Sequence, residues 1–499
     1  MENKKKAGLS IEKITLYCFI IAAASFNVYV YVCKKIDIDI LWHYKLGEEI
    51  IQNKCITLAN NFTFLKDTEW LPQEWIYETM LYIITSKIGM IGFFGLTFLN
   101  SVLLMCLALK NVNNNVLFIL SYFLIWYSTP RNMGNRPSEF SVYLILLSIY
   151  LYNKNIDKLK KIVLILFGML VANFHGGVIL IISAIWFIML ANDIFFDIYN
   201  RNKLRTKFYL SKALEFVLFI IGACINPSGF KLLSTIVKIS ALNTTQYIAE
   251  WLPTEVNYIL GIFIILITIS FGYCIGKQGL KREDTQAMLI NTGLLVLALH
   301  SQKAFLVFDA VWIIYGYKYL ERLITNIFKG KALRIAKITN KLFILAPALL
   351  VIITIASVSL IKEGVATNNF KDYVVSVSEQ SSNEVLNTIK DVYTDDTKIL
   401  AGYKHGNKLM FNDIKCFVDT RQWPYSKELS KYSALDDLFY VETNLQDTEY
   451  IDSFLNKYNF DYIWTSSELD LNNYFKNNDN YSLVMSTDTK EESLWKRNK

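Results

Sequence analysis

Apolar runs recur along the first 362 of the 499 residues, several of them short and five of them of a length that can cross the roughly 30 Å hydrocarbon layer of a bilayer, and they stop there. This pattern leaves few folds open. Backbone inside hydrocarbon must satisfy each N–H and C=O internally, so runs of this length cross as helices. The spacing predicts eleven spans, at 14–33, 89–109, 116–129, 138–152, 162–174, 178–193, 213–225, 256–276, 285–299, 304–320 and 342–361. Lys4, Lys5 and Lys6 precede the first run, which is long and lacks a small-residue exit, so it reads as an uncleaved span rather than a removed signal.

Charge tests the arrangement. With the N-terminus in the cytoplasm, the inner connections hold 24 Lys and Arg in 79 residues, against 11 in 101 for the outer ones. That is the bias expected of cytoplasmic loops. An odd number of spans then places the C-terminal segment outside. Residues 371–499 carry 15 Lys and Arg against 22 Asp and Glu, while the rest carries 36 against 22. The overall charge of +7 therefore belongs to the membrane part and fits contact with anionic lipid, not with nucleic acid.

Two domains follow: 1–362, a multi-pass membrane part, and 363–499, an extracytoplasmic α/β domain. In the first outer loop, 34–88, Leu41–Gln52 and Glu74–Lys87 read as amphipathic helices of the membrane interface. In the tail, Lys398–Ala401, Cys416–Asp419, Tyr462–Thr465 and Tyr481–Met485 read as strands between helices at 382–393, 448–457 and 467–475. No Cys-x-x-Cys or Cys/His metal spacing occurs, and a Cys55–Cys416 disulfide is conceivable.

Polar groups near a bilayer are costly and tend to mark sites. In this topology they gather on the outer face: Asp37, Asp39 and His43 in the first loop, Arg131 and Arg136 after the third span, Asn173 and His175 after the fifth, and His300, Gln302 and Lys303 between the ninth and tenth. Asp37 or Asp39 can serve as a general base, or both can hold a divalent cation such as Mg or Mn; their i, i+2 spacing suits an extended segment. Arg131, Arg136 and Lys303 suit a phosphate head group. His43, His175 and His300 can hydrogen-bond phosphate or move a proton. Asn226, before Pro227, reads as a helix-end turn, His405 as surface loop, and Asp419 with Arg421 as an ion pair inside the tail.

Asp37-Ile-Asp39-Ile-Leu-Trp42-His43 followed by Gly47-Glu48 resembles the first-loop signature of bacterial GT-C-class membrane glycosyltransferases, which belong with the protein mannosyltransferase and aminoarabinose transferase superfamily. Glu74-Trp75, Arg136-Pro137, Asn173-Phe-His175-Gly176-Gly177, Asn226-Pro227 and Val418-Asp419-x-Arg421 are similar to that group as well. Leu41 stands where a Trp is usual, and Gln302-Lys303 where Arg is expected. The resemblance implies a polytopic helical enzyme of the bacterial plasma membrane. It would take a sugar from a polyprenyl-phosphate donor in the membrane lipid and pass it, with inversion, to a glycan, lipid or protein acceptor outside. Of the two acids it favours Asp37 as base, because that acid follows the first span closely. The alternatives are a lipid-linked-sugar flippase, a polysaccharide polymerase or ligase, and a non-catalytic scaffold of the same fold.

Overall fold

The computed structural model describes residues 11–33, 36–110, 117–119, 121–122, 135–154, 158–240, 248–327, 349–359, 361–362, 369–378, 380–427, 430–489 and 491–498. The first helix, Ile11–Val28, ends in a π-helical turn, Tyr29–Cys33. Long helices follow at Met90–Leu109, Pro137–Asn153, Lys158–Phe174, Val178–Tyr199, Thr206–Ala223, Tyr258–Gln278 and Arg282–His300. Another, Phe305–Val311, continues through a π turn at Trp312–Gly316 into Tyr317–Ile327. These helices share an apolar core that includes Phe19, Phe167, Ile182, Phe219, Phe263 and Trp312. Their outer faces expose Leu103, Ile162, Phe187, Ile221 and Ile262, as lipid-facing surface does.

Among the described residues, four helices are long and apolar enough to cross a membrane: Lys13–Cys33, Met90–Leu109, Val178–Tyr199 and Tyr258–Gln278. Eleven crossings are thus more than the described helices establish. The expected span 116–129 and the first part of 342–361 lie largely outside the described residues. The other helices are shorter or more charged.

Small residues set the closest helix contacts. A Cβ on Gly168 would lie 2.0 Å from the Phe219 carbonyl oxygen, and one on Gly222 2.1 Å from that of Ile165, so Lys158–Phe174 and Thr206–Ala223 touch backbone to backbone. In the first loop, helices Asp39–Asn53 and Trp75–Lys87 cross in the same way, a Cβ on Gly47 falling 2.1 Å from the Glu78 carbonyl oxygen. Tyr44, Tyr77, Leu81 and Phe93 pack there with Phe370 and Tyr373 of helix Phe370–Val377. The Tyr373 hydroxyl donates to Val32 O at 2.7 Å. This helix lies beyond residue 363 yet packs with the first loop.

The tail forms a four-stranded sheet of order β1-β2-β4-β3, with β1 (Ile399–Ala401) parallel to β2 (Tyr462–Thr465). β3 (Tyr481–Ser486) and β4 (Ser493–Arg497) pair antiparallel. The Cys416–Asp419 run is not a strand of this sheet; Cys416 makes single bridges to Thr63 and Ile399. Helices Tyr403–Phe411 and Ala434–Thr443, and β4, were not visible in the sequence pattern. Cys55 and Cys416 are free thiols, one exposed and one buried, so no disulfide joins them. The first loop meets the tail through hydrogen bonds instead: Thr63 Oγ1 donates to Phe417 O at 3.1 Å and Cys416 N to Phe62 O at 3.0 Å.

Gly47→Ala is expected to cost about 1–3 kcal/mol, because the added methyl has no room against the Glu78 carbonyl. Gly95→Ala, with nothing within 4 Å of the new Cβ, is expected to be neutral or stabilising. Thermal unfolding of the two variants in detergent checks the contrast.

Candidate active site

A cavity of about 900 Å³ lies between the helical bundle and the tail. Its wall is built from Asp37, Asp39, Trp42, Trp70, Glu74 and Arg136, from Glu250, Trp251 and Lys303, and from the tail stretch Thr420–Trp423.

Local sequence aims Arg136 into this space. Asn135 adopts the left-handed conformation at φ 62°, which Asn tolerates better than most residues. It is held there by Thr97, by Phe93 O and by Glu139. Pro137 then opens helix Pro137–Asn153, where its missing N–H costs nothing. Arg136, between them, reaches three carboxylates. Its Nε lies 2.7 Å from Asp37 Oδ2, and one terminal nitrogen lies 2.7 Å from Asp37 Oδ1, 2.8 Å from Asp39 Oδ2 and 2.8 Å from Glu250 Oε1. The other terminal nitrogen donates to Glu250 Oε2 at 2.8 Å.

Asp37 and Asp39 do not sit on an extended segment. Asp37 Oδ1 accepts the Asp39 N–H at 3.0 Å, and Asp39 opens helix Asp39–Asn53, where an acid in the first turn favours the helix dipole. The remaining Asp39 oxygen accepts a hydrogen bond from the Thr420 hydroxyl of the tail. Three acids on one guanidinium leave an excess of negative charge in a buried place. Burial, opposed by Arg136 and reinforced by Asp37 and Glu250, pushes the Asp39 carboxyl up to about 6. The guanidinium fills the space between the two Asp side chains, so the pair does not fit a divalent cation in this arrangement.

A second polar group lies behind the same wall. Trp75 Nε1 donates to Asn173 Oδ1 at 2.6 Å, and Gly176 N donates to Gln73 O at 3.2 Å. These contacts seat the turn at His175–Gly177 against Gln73–Trp75 and bring His175 Nε2 to 3.4 Å from Glu74 Oε1. His175 Nδ1 shares a hydrogen bond with Ser141 Oγ. Burial pushes the Glu74 carboxyl up to about 7, Lys303 opposing, and pushes the His175 imidazole down to about 3, with Lys303 adding to it. His43, buried between Trp42 and Tyr77, points Nδ1 at Glu74 and Glu78, 3.8 and 3.9 Å away.

Asp37, Asp39, Glu74, Arg136 and Lys303 thus line one cavity, and His43 and His175 sit just behind it. His300 is exposed at the end of its helix, and neither it nor Gln302 is part of the lining. Arg131 lies outside the described residues. Among the described residues Lys303 has no carboxylate within ion-pair distance; its ammonium lies over the Trp251 ring, 5.1 Å from the centroid. Leu41 is buried in the first-loop cluster, while Trp42 lines the cavity.

Sequence reasoning missed Glu250, Glu78 and Thr420, and the aromatic group of Trp42, Trp70 and Trp423, in which Trp70 and Trp423 stack at 5.1 Å. Glu78 had a signal: it falls one turn after Glu74 in a helix. His405 is not surface loop. It is buried in helix Tyr403–Phe411, with Glu468 3.8 Å and Glu492 3.5 Å away. Asp419 and Arg421 form a fully buried ion pair at 2.6 Å, and Asn226 makes the helix-end turn with Ser228 and Gly229.

Comparison with protein-family models and with curated proteins finds no match to this sequence. Among solved structures the chain is similar to the crystal structure of the Archaeoglobus fulgidus oligosaccharyltransferase in the apo form. The TM-score is 0.59 at 12% identity, over 95% of this chain and 71% of that one. The likeness is one of fold. It agrees, at that level, with the expected helical membrane part followed by a small α/β domain.

Arg136→Gln leaves Asp37, Asp39 and Glu250 without their shared cation and is expected to cost roughly 3–5 kcal/mol at neutral pH. The deficit should shrink toward pH 5, as the buried Asp39 carboxyl, already raised to about 6, takes up a proton. Thermal unfolding of wild type and variant across pH measures both effects.

Proposed function

We propose that this chain is a membrane glycosyltransferase that takes a sugar from a polyprenyl-phosphate-linked donor to an acceptor on the outer face of a bacterial plasma membrane, an envelope glycan, lipid or protein. The observation that carries the reading is the cavity that joins acids, the Lys303 ammonium and aromatic faces at the junction of bundle and tail, on a fold similar to that of an oligosaccharyltransferase. Val30, Tyr31, Ile36, Ile239 and Ile248 give the cavity an apolar stretch suited to a prenyl chain. Trp42, Trp70 and Trp423 offer aromatic surface for a sugar ring.

In the proposed reaction a carboxylate of the Asp37–Asp39 pair takes the proton of the acceptor hydroxyl. The acceptor oxygen bonds to the anomeric carbon as the bond from that carbon to the phosphate oxygen breaks, inverting the centre. The polyprenyl phosphate leaves with the electron pair, and Lys303 stabilises its charge. Asp37 holds Arg136 with both oxygens, whereas Asp39 gives Arg136 only one, and this favours Asp39 as the base. Arg136 contributes to phosphate binding only by giving up a carboxylate, so its main part is to hold the acids in place.

Asp39→Asn is expected to lower transfer from a labelled lipid-linked sugar by about 10²–10⁴-fold. Lys303→Ala should lower it by about 10–100-fold, the loss of one charge-assisted hydrogen bond. In wild type, where Asp37, Arg136 and Glu250 all face Asp39, transfer should rise with pH through about 6, because the raised carboxyl must lose its proton to act as base. Full transfer by an Asp37→Asn, Asp39→Asn double variant refutes the assignment.

A further inference from the structure

The crossing of the two first-loop helices encloses a cluster that the proposed transfer reaction does not use. His43 lies one turn before Gly47, and Glu74 and Glu78 lie one turn apart, so the close approach at Gly47 points one imidazole and two carboxylates at the same spot. Glu78 is fully buried and His43 is 2% exposed. Among the described residues neither oxygen of Glu78 has a hydrogen-bond partner, and neither does His43 Nδ1.

The separations are informative. His43 Nδ1 stands 3.8 Å from Glu74 Oε2 and 3.9 Å from Glu78 Oε1. A shared proton would draw nitrogen and oxygen to about 2.7–3.0 Å. Donors on a cation bound at about 2.1 Å sit roughly 3.4 Å apart. One donor atom from each of the three residues lies within 4.8 Å of the others, so a small side-chain adjustment closes them on a common centre. The charge also balances: a dication cancels two buried carboxylates, neither of which has a Lys or Arg nitrogen within ion-pair distance among the described residues, and the imidazole adds no charge of its own.

We propose that His43, Glu74 and Glu78 bind a divalent transition metal, Zn²⁺ or Mn²⁺, that pins the two first-loop helices together behind the cavity wall. Mixed imidazole and carboxylate donors favour these ions over Mg²⁺ and Ca²⁺, which prefer oxygen alone. His175 Nε2, 3.4 Å from the other Glu74 oxygen, orients that carboxylate from the far side. The site is distinct from the Asp37–Asp39 pair, where Arg136 takes the place of a cation.

Full-length protein in detergent, incubated with ZnCl₂ or MnCl₂ and desalted, is expected to retain about one metal per chain by mass spectrometry. Glu78→Gln and His43→Gln should lose it. Chelation should lower the thermal midpoint of wild type and leave that of the two variants unchanged. Gln imitates a protonated carboxyl, so Glu78→Gln should still fold. Wild type that holds no metal after either incubation, or metal retained equally by both variants, overturns the proposal. The measurement uses neither donor nor acceptor, so its failure leaves the transfer reaction standing, and a failed transfer assay leaves the metal site standing.

Discussion

Everything at the junction of bundle and tail depends on one guanidinium held by three carboxylates. Arg136 belongs to the start of helix Pro137–Asn153, Asp37 and Asp39 to the chain leaving the first helix, and Glu250 to a short helical turn more than 100 residues further on. Buried ions are expensive, and such an arrangement persists only when each hydrogen-bonding position is used. Here Arg136 meets carboxylate oxygens on both faces of its fork, and the remaining Asp39 oxygen takes a hydrogen bond from Thr420 of the tail. The clamp therefore fixes where the tail sits over the bundle as well as where the acids point.

The long apolar helices were legible because an apolar run extends over many residues, and small errors at each end do not change its reading; of the eleven expected spans, four described helices have the length and composition to cross a membrane. The tail was less so. Strands β1, β2 and β3 announced themselves through short β-branched and aromatic runs, but Cys416–Asp419 has the same composition and pairs only through isolated bridges. Its neighbours are Phe62 and Thr63, more than 350 residues away, and no local signal reports such a contact. His405 fails for a related reason: Gly402 and Gly406 suggest a turn, yet Gly406 is there because a Cβ would lie 1.9 Å from the Val418 carbonyl oxygen.

The site was half legible. Unusual polar residues at the expected outer face identified Asp37, Asp39, Arg136 and Lys303, all of which line the cavity. Spacing suggested what each side chain could do but not which neighbour it would meet. Arg136 reads as a phosphate ligand until its three carboxylates are seen, and Asp37 and Asp39 read as a cation seat until the guanidinium is seen between them. Partner choice is a tertiary property. It follows from Asn135 turning the chain into helix Pro137–Asn153 and from Gly47 letting two helices touch, neither of which a list of ionisable residues contains.

The opposite ends of the helices bear on the choice between an enzyme and a lipid-linked-sugar flippase. A carrier that alternates access must open its substrate path to each side in turn, and its polar groups on both halves must exchange partners as it does so. At the ends away from the cavity, Lys160 and Lys212 share Glu215, Arg282 pairs with Asp193, and the Tyr152 hydroxyl donates to the same Asp193 at 2.9 Å. Glu215 and Asp193 are almost fully buried. These contacts tie helices Pro137–Asn153, Lys158–Phe174, Val178–Tyr199, Thr206–Ala223 and Arg282–His300 together, so opening that side would strand buried charges at a cost of several kcal/mol. The cavity side, by contrast, offers Lys303 and an acid excess still able to accept a proton. A bundle tied at that end by buried ion pairs is poorly suited to alternating access, and this weighs for the proposed transfer over the flippase reading.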